Sequence, residues 1–355
     1  MYKVVDLFSG AGGLSEGFRL AGFNVIGGID FDKNAICTFN HNFKGARGVC
    51  ADLTNISEAD IYNYFNDYLS ADVIIGGPPC QGFSSANRHN LDEMDDPRNR
   101  LFFQFVKFVD TIHPKAIVIE NVRGIVTANN GYAKRRIYEI FENKGYKVNH
   151  RVLDASQYGV PQKRMRNFFV MKLGDEFNFD NITKEIGPTV YESLGELYPF
   201  DKEKGDILLS RPKTKFQKYL RRPDDKIINH DIRYPSKIVQ ERISFVPQGG
   251  NWKDVPEYLF KNNRNNRHSS AYKRLREDDF SVTIDTGNSH SNYFHPIYNR
   301  IPTVREAARL QSFSDNFEFF GSRTSQYRQV GNAVPPLLSM AVANELRREL
   351  DSEEK

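Results

Sequence analysis

The sequence predicts an α/β protein built on a three-layer, mostly parallel sheet, with a smaller irregular domain set into the chain. Three observations lead there. Short apolar runs alternate with amphipathic stretches through the first half, polar turns follow those runs directly, and after about Leu173 the periodicity weakens while basic residues gather.

Taken in order, Lys3-Val4-Val5-Asp6-Leu7-Phe8 is a buried strand and Ser9 to Gly13 a glycine-rich turn. A helix from about Leu14 stops at Gly22, a residue suited to a helix C-cap. Phe23 to Ile29 is a second strand, ending in Asp30. Asp72 to Ile75 and Lys115 to Ile119 are later strands. Between them Leu101, Phe102, Phe105, Phe108, Val109 and Ile112 recur at helical spacing, so that helix covers the sheet. Helical patterning resumes at Thr303, and Leu337 to Leu350 is a closing helix with an acidic, frayed tail. The expected division is 1–185 with 327–355 as the larger domain and 186–326 as the smaller.

With 355 residues, 39% hydrophobic and 26% charged, the chain is long enough for one large domain plus a smaller one. No apolar run approaches the roughly 18 residues of a membrane span, and the N-terminus lacks a signal peptide's layout. Cys37, Cys50 and Cys80 are few, odd in number and without metal-site spacing. A reduced cytoplasmic setting is expected, with neither disulfide nor metal. The net charge of +4 says less than its distribution. Arg211 to Arg222 carries six basic residues and no acid, and Asn262 to His268 reads Asn-Asn-Arg-Asn-Asn-Arg-His. A solvated face accounts for either run alone; two in one irregular segment favour a domain that handles phosphates.

Four constellations carry chemistry. Asp6 to Leu14 is a strand running into a glycine turn, with Asp30 at the next strand end placed to hold a ribose. Position 15 is Ser, so the dinucleotide fingerprint is incomplete and a nucleoside without pyrophosphate fits better. Gly76-Gly77-Pro78-Pro79-Cys80-Gln81 follows a buried strand and holds a thiol in a rigid turn, as a nucleophile needs. The polar stretch from Gln81 to about Asn99 suits a lid. Glu120 ends another strand on the same edge, an acid beside the nucleophile or a plain turn cap. Arg164 and Arg166, two apart, point the same way if extended, toward a carbonyl, a phosphate or Glu120.

These residues, with Gln162-Lys163-Arg164-Met165-Arg166, Arg305-Glu306-Ala307-Ala308-Arg309-Leu310-Gln311 and Gln329 to Pro336, resemble the DNA (cytosine-5)-methyltransferase family in order and approximate spacing over nearly the whole chain. The resemblance implies the Rossmann-like S-adenosylmethionine-dependent methyltransferase fold, a target-recognition domain at 186–326, and no metal. Cys80 would add to C6 of a cytosine flipped out of double-stranded DNA. Glu120 would bond N3 and the exocyclic amine, Arg166 the base O2, and Arg164 would support Cys80, Glu120 or a phosphate. The cofactor would lie against Phe8, Ser9, Gly10 and Gly12, with Asp30 on the ribose, Phe31 beside the adenine and Asp52 and Leu53 at its amine edge. Pro79, Leu101, Asn332 and Val334 would complete that pocket. Thr283 and Gly287 fall where the family ends its recognition region. The compact length resembles bacterial enzymes that act as monomers beside a separate restriction endonuclease. A relative that methylates transfer RNA carries a Cys-Phe-Thr triplet absent here. A nicotinamide oxidoreductase and a non-catalytic DNA-binding module are the competing classes; the incomplete fingerprint opposes the first and the filled catalytic positions the second.

Overall fold

Seven strands form one sheet in the computed structural model, in the spatial order Arg47–Cys50, Asn24–Asp30, Lys3–Leu7, Val73–Gly76, Ala116–Val122, Met165–Lys172, Lys147–Asp154. The structure describes residues 1–79, 99–202, 209, 211–224, 226–260, 272–286 and 293–354. Two compact units divide the chain: Met1–Asp154, Met165–Lys184 and Val334–Lys355 form the first, and Ala155–Arg164 with Glu185–Ala333 the second.

In the first unit β1 (Lys3–Leu7), α1 (Gly13–Leu20), β2 (Asn24–Asp30), α2 (Lys33–Asn42), β3 (Arg47–Cys50), α3 (Glu58–Tyr64), β4 (Val73–Gly76), α4 (Arg100–Ile112), β5 (Ala116–Val122) and α5 (Tyr132–Glu142) alternate along the chain. The β1–β2, β1–β4, β2–β3 and β4–β5 pairings are parallel. β6 (Lys147–Asp154) and β7 (Met165–Lys172) add an antiparallel pair on the β5 side. β1, β4 and the inner part of β5 are buried because helices cover both faces, which explains their unbroken apolar runs. On one face Phe102, Phe105, Phe108 and Val109 of α4 pack with Ile117, Ile119, Phe169 and Met171.

The strand order reverses between β1 and β4, and open α/β sheets bind ligands beyond the strand ends at such a reversal. The turn after β1 and the loop after β4 flank that point.

The closing helix, Pro336–Glu353, packs along α1. A Cβ on Gly17 would stand 2.3 Å from Ser339, so glycine is what lets the two helices approach. Its acidic tail is not frayed as expected. Glu349 and Glu353 meet the buried Lys172, and Glu354 meets Lys115 at 2.6 Å, so the cations of the sheet's lower edge hold the last turn.

The second unit takes in 155–164 and 327–333, which the sequence assigned to the larger domain. Main-chain pairing explains the first segment: Tyr158 bridges Glu185 and Gln162 bridges Ser281. The unit has short helices, α6 (Val190–Leu194), α7 (Lys215–Leu220), α8 (Lys237–Ser244), α9 (Val304–Leu310) and α10 (Arg323–Asn332), and a two-stranded pair, β8 (Lys273–Arg274) and β9 (Tyr293–Phe294). A small apolar cluster gathers Ile243, Val246, Val255, Leu259, Tyr272 and Phe294.

Its other organising centre is ionic. Thr303 and Glu306 form a capping box at the start of α9, and the Glu306 carboxylate also receives a bidentate pair of bonds from Arg300 at 2.7 and 2.9 Å. Arg300 continues to Asp201 at 2.7 Å, and Arg309 forks onto Asp315 and reaches Glu196. Such charges persist in an interior only when each has its partner. His295 completes the group, with Nε2 3.6 Å from Glu306 and Nδ1 accepting from the Ile297 and Tyr298 amides. Burial lowers the His295 pKa to about 4, against the pull of Glu306.

An unfolded histidine titrates near 6.5. Between these values the unfolded chain binds the extra proton, so stability is present above about 6.5 and is lost as pH falls toward 4. Thermal melting from pH 7.5 to 4.5 is expected to show that loss, on the order of 3 kcal/mol at most for this group. The acid limb should flatten in His295→Gln; an unchanged slope would remove His295 as its source.

Candidate active site

The parallel register brings five strand ends to one edge of the first unit. Leu7 pairs with Ile29 and Gly76, Asp30 with Cys50, and Gly76 with Ile119. After β1 the chain turns sharply: Phe8, Gly10 and Gly12 all have positive φ, at 66°, 53° and 97°. At Gly12 any Cβ would also strike the Phe43 ring, 2.4 Å away, so both conformation and space require glycine there. Phe8 holds the left-handed region without being glycine, a strain that costs on the order of 1–3 kcal/mol and is typical of functional turns.

Asp30 receives the Gly10 amide on Oδ2 and the Asp32 amide on Oδ1, each at 2.9 Å. Burial raises its pKa, partly offset by these bonds. Asp6, fully buried beneath the turn, accepts from Ser15 Oγ at 2.6 Å and is pushed up to about 7 by desolvation. Phe31 extends from the end of β2 with 78% of its surface exposed. Asp52 opens the turn after β3, bonded by the amide and hydroxyl of Thr54, which lower its pKa; Leu53 is buried behind it. Val334 precedes the closing helix, whose Ser339 hydroxyl donates to Leu14 O at 2.7 Å, at the glycine-turn end of α1. Leu101 lies in the first turn of α4, half-buried.

The residues at these strand ends could take up a nucleoside. Ser9 Oγ is buried with no partner among the described residues, a hydroxyl left to donate. A Cβ on Gly10 would meet nothing within 4 Å, so the turn faces open space. The exposed Phe31 ring offers a stacking face.

On the β4–β5 side, Glu120 lies beside the loop that leads to Cys80. A Cβ on Gly77 would stand 3.4 Å from Glu120 Oε2, and Asn121 Nδ2 donates to Pro78 O at 3.1 Å. Val122 pairs with Arg166, which sets the Arg166 side chain diagonal to Glu120 and lets its Nε meet Oε1 at 2.9 Å. Glu120 is therefore held by a charged partner and is not a bare turn cap. Cys80 and residues 81–98 lie outside the described residues, as do Gly287 and the run from Asn262 to His268.

Arg164 departs from the expectation that both guanidiniums point the same way. Buried in the second unit, it bonds Ile284 O at 2.7 Å, Gly331 O at 2.9 Å and Ala333 O at 3.1 Å. The reason is local: β7 begins at Met165, so Arg164 sits outside the ladder whose alternation was assumed. Thr283 Oγ1 donates to Lys163 O, and Asn332 ends α10, exposed, in the second unit. Half of the basic run is also spent internally. Lys215 meets Glu185, Arg221 meets Glu196 and Arg222 meets Asp224, while Arg211, Lys213 and Lys218 are exposed.

Asn121 went unassigned in the sequence although it follows Glu120, because nothing local signals an amide reaching a carbonyl 43 positions away. Gln162 was likewise unassigned; fully buried, it receives the Ile284 amide and donates to Leu310 O and Gln311.

A family model described as C-5 cytosine-specific DNA methylase matches residues 2–348. The Type II methyltransferase M1.HphI of Haemophilus parahaemolyticus is 39% identical over 340 residues, covering 96% of this chain and 85% of that protein. M.DdeI of Desulfomicrobium norvegicum, also a Type II methyltransferase, is 37% identical over 373 residues, covering 97% and 88%. Among solved structures, one described as a DNA modification methyltransferase encoded within an E. coli prophage superposes with a TM-score of 0.80 at 27% identity, over 99% of this chain and all of that one. The S. pombe Dnmt2 methyltransferase shares the fold, with a TM-score of 0.63 at 19% identity over 98% of this chain and 99% of that one.

Proposed function

The chain belongs to the C-5 cytosine-specific DNA methylase family, and on that premise we propose which residues perform the transfer and in what setting. The enzyme is a DNA (cytosine-5-)-methyltransferase that uses S-adenosylmethionine. That cofactor supplies the methyl group. Phe8, Ser9, Gly10, Gly12, Asp30, Phe31, Asp52, Leu53, Pro79, Leu101, Asn332 and Val334 are the residues that would hold it.

Cytosine C5 is a weak nucleophile. The Cys80 thiolate adds to C6, the ring's double-bond electrons move toward C5, and C5 is then able to take a methyl group. Loss of the C5 proton and expulsion of the thiolate restore the ring. Glu120 bonds N3 and the exocyclic amine and stabilises the electron-rich ring; Arg166 holds Glu120 and faces O2. Arg164 acts by positioning the segments around Ile284 and Gly331 and not by touching the base. The observation that carries this reading is the Glu120–Arg166 pair beside the Gly77-Pro78-Pro79 loop, with Asn121 fixing Pro78.

The second unit serves as the target-recognition domain, with exposed Arg211, Lys213 and Lys218 available to phosphates. The relatives named as Type II methyltransferases support a role in DNA modification of the restriction-modification kind; we propose that the enzyme works in the cytoplasm as a monomer and protects bacterial DNA from a separately acting endonuclease.

A duplex carrying 5-fluorocytosine at the target position tests the covalent step. Fluorine does not leave C5 as a proton does, so a protein–DNA adduct should survive denaturing electrophoresis when S-adenosylmethionine is present. Recovery of free protein alone would overturn the nucleophilic mechanism.

A further inference from the structure

Within the second unit, the chain from Pro161 to Arg164 holds the segment after Ser281 by two different means. The first is main-chain pairing: the Ser281 amide donates to Pro161 O at 2.9 Å, and the Lys163 amide donates to Ser281 O at 3.0 Å. That pairing is a single bridge. Beyond it side chains take over. Thr283 Oγ1 donates to Lys163 O at 2.8 Å. Both main-chain groups of Ile284 are then gripped, its amide by Gln162 Oε1 at 2.8 Å and its carbonyl by Arg164 Nη1 at 2.7 Å.

The far side of Gln162 is anchored too. Its Nε2 donates to Leu310 O at 3.1 Å and to Gln311 Oε1 at 2.8 Å. Gln311 Nε2 passes on to Val330 O at 2.7 Å, near the C-terminal end of α10. Neither glutamine has any exposed surface, and each polar atom of the two side chains has a partner. A buried polar network satisfied throughout is rigid and specifies one arrangement. Leucine or methionine could fill the space at position 162, but neither offers the buried Ile284 amide an acceptor.

What this clamp holds is at the surface: Thr283 and Thr286, on either side of buried Ile284, are exposed. Threonine presents a hydroxyl and a methyl, and both can read base edges. One anchor at Ser281 lets the segment swing; a second at Ile284, roughly 10 Å further along extended chain, sets its direction. We infer that Gln162 is a positioning residue for DNA recognition: by fixing the Ile284 main chain it holds the 283–286 segment in the register at which it meets the duplex. The inference rests on the reading of the second unit as the target-recognition domain. Phosphate contacts supply most of the affinity and base contacts the discrimination, so a loosened segment loses selectivity before it loses binding.

Hydrogen exchange and steady-state methylation on the full chain test it, with the target site mapped by bisulfite sequencing. In wild type the 281–286 amides should exchange slowly, and target duplex should slow them further. Gln162→Met should speed that exchange. It should also cut the ratio of kcat/KM on the target to kcat/KM on a duplex changed at one base by about tenfold, with kcat on saturating target within about threefold of wild type. Gln311→Met, which keeps the Ile284 bond but frees the carboxamide's far side, should lower the same ratio by about threefold, and it carries the test if Gln162→Met does not fold. Loss of folded protein lowers both rates together and leaves their ratio where it was. An unchanged ratio would therefore overturn the positioning role, as would fast exchange at 281–286 in wild type. Protection by DNA elsewhere in 185–333 but not in 281–286 would overturn it as well. If no part of 185–333 is protected, the recognition reading of the second unit fails, and this inference with it.

Discussion

Replacing Cys80 with alanine is expected to abolish methyl transfer, by roughly 10⁴-fold or more, while affinity for target DNA stays within a few-fold of wild type. The size of the effect follows from the chemistry. Without addition at C6, no other step makes C5 nucleophilic enough to accept a methyl group, so the lost thiolate cannot be offset by better binding. Incorporation of label from S-adenosylmethionine, alongside a filter or gel measurement of DNA binding, separates the two quantities. Label incorporation by the variant at the wild-type rate would remove Cys80 from the mechanism. Loss of DNA binding in parallel would instead point to a collapsed loop and call for Cys80→Ser as the gentler change.

The second large effect concerns stability. Glu306→Gln keeps the side chain's shape but removes the charge that Arg300 forks onto, inside a region with no exposure at Glu306 and 1% at Arg300. Truncating one partner of a buried pair leaves the other charge desolvated, at a cost of about 3–5 kcal/mol. Arg300 retains Asp201, which places the expectation at the lower end, a fall in melting temperature of roughly 5–10 °C. The capping role should largely survive, since glutamine also serves at that position of a capping box. Differential scanning calorimetry checks the value; a midpoint within 1 °C of wild type would show that the Glu306 charge contributes little. Because Glu306 is held well below the usual carboxylate range by Arg300 and His295, its pairing is expected to be lost only in strong acid.

The Arg305 to Gln311 segment illustrates what was hidden in the sequence. Its family resemblance was evident, yet no local pattern shows that Arg305 bonds the carbonyls of Ile228, Ser314 and Phe317, or that Arg309 spans from Glu196 to Asp315. Those partners lie up to 113 positions away. The basic run at Arg211 to Arg222 has the same lesson. Charge density is legible in sequence, but whether a cation faces solvent or an acid is decided by packing, and Arg221 turned inward to Glu196.

What the sequence determined by itself is the set of features controlled by near neighbours. Apolar runs of strand length, helical spacing from Leu101 to Ile112 and glycines at forced turns locate the sheet edge, the glycine turn after the first strand and Glu120, because local sterics and burial periodicity act within a few residues. Only the tertiary structure decided partners. It separated Arg164 from Arg166, gave Glu120 its guanidinium, let Asn121 fix Pro78 and tied Gln162 to Ile284. Each of those contacts joins distant segments, and hydrogen-bond geometry of a few tenths of an ångström depends on where whole strands and helices come to rest.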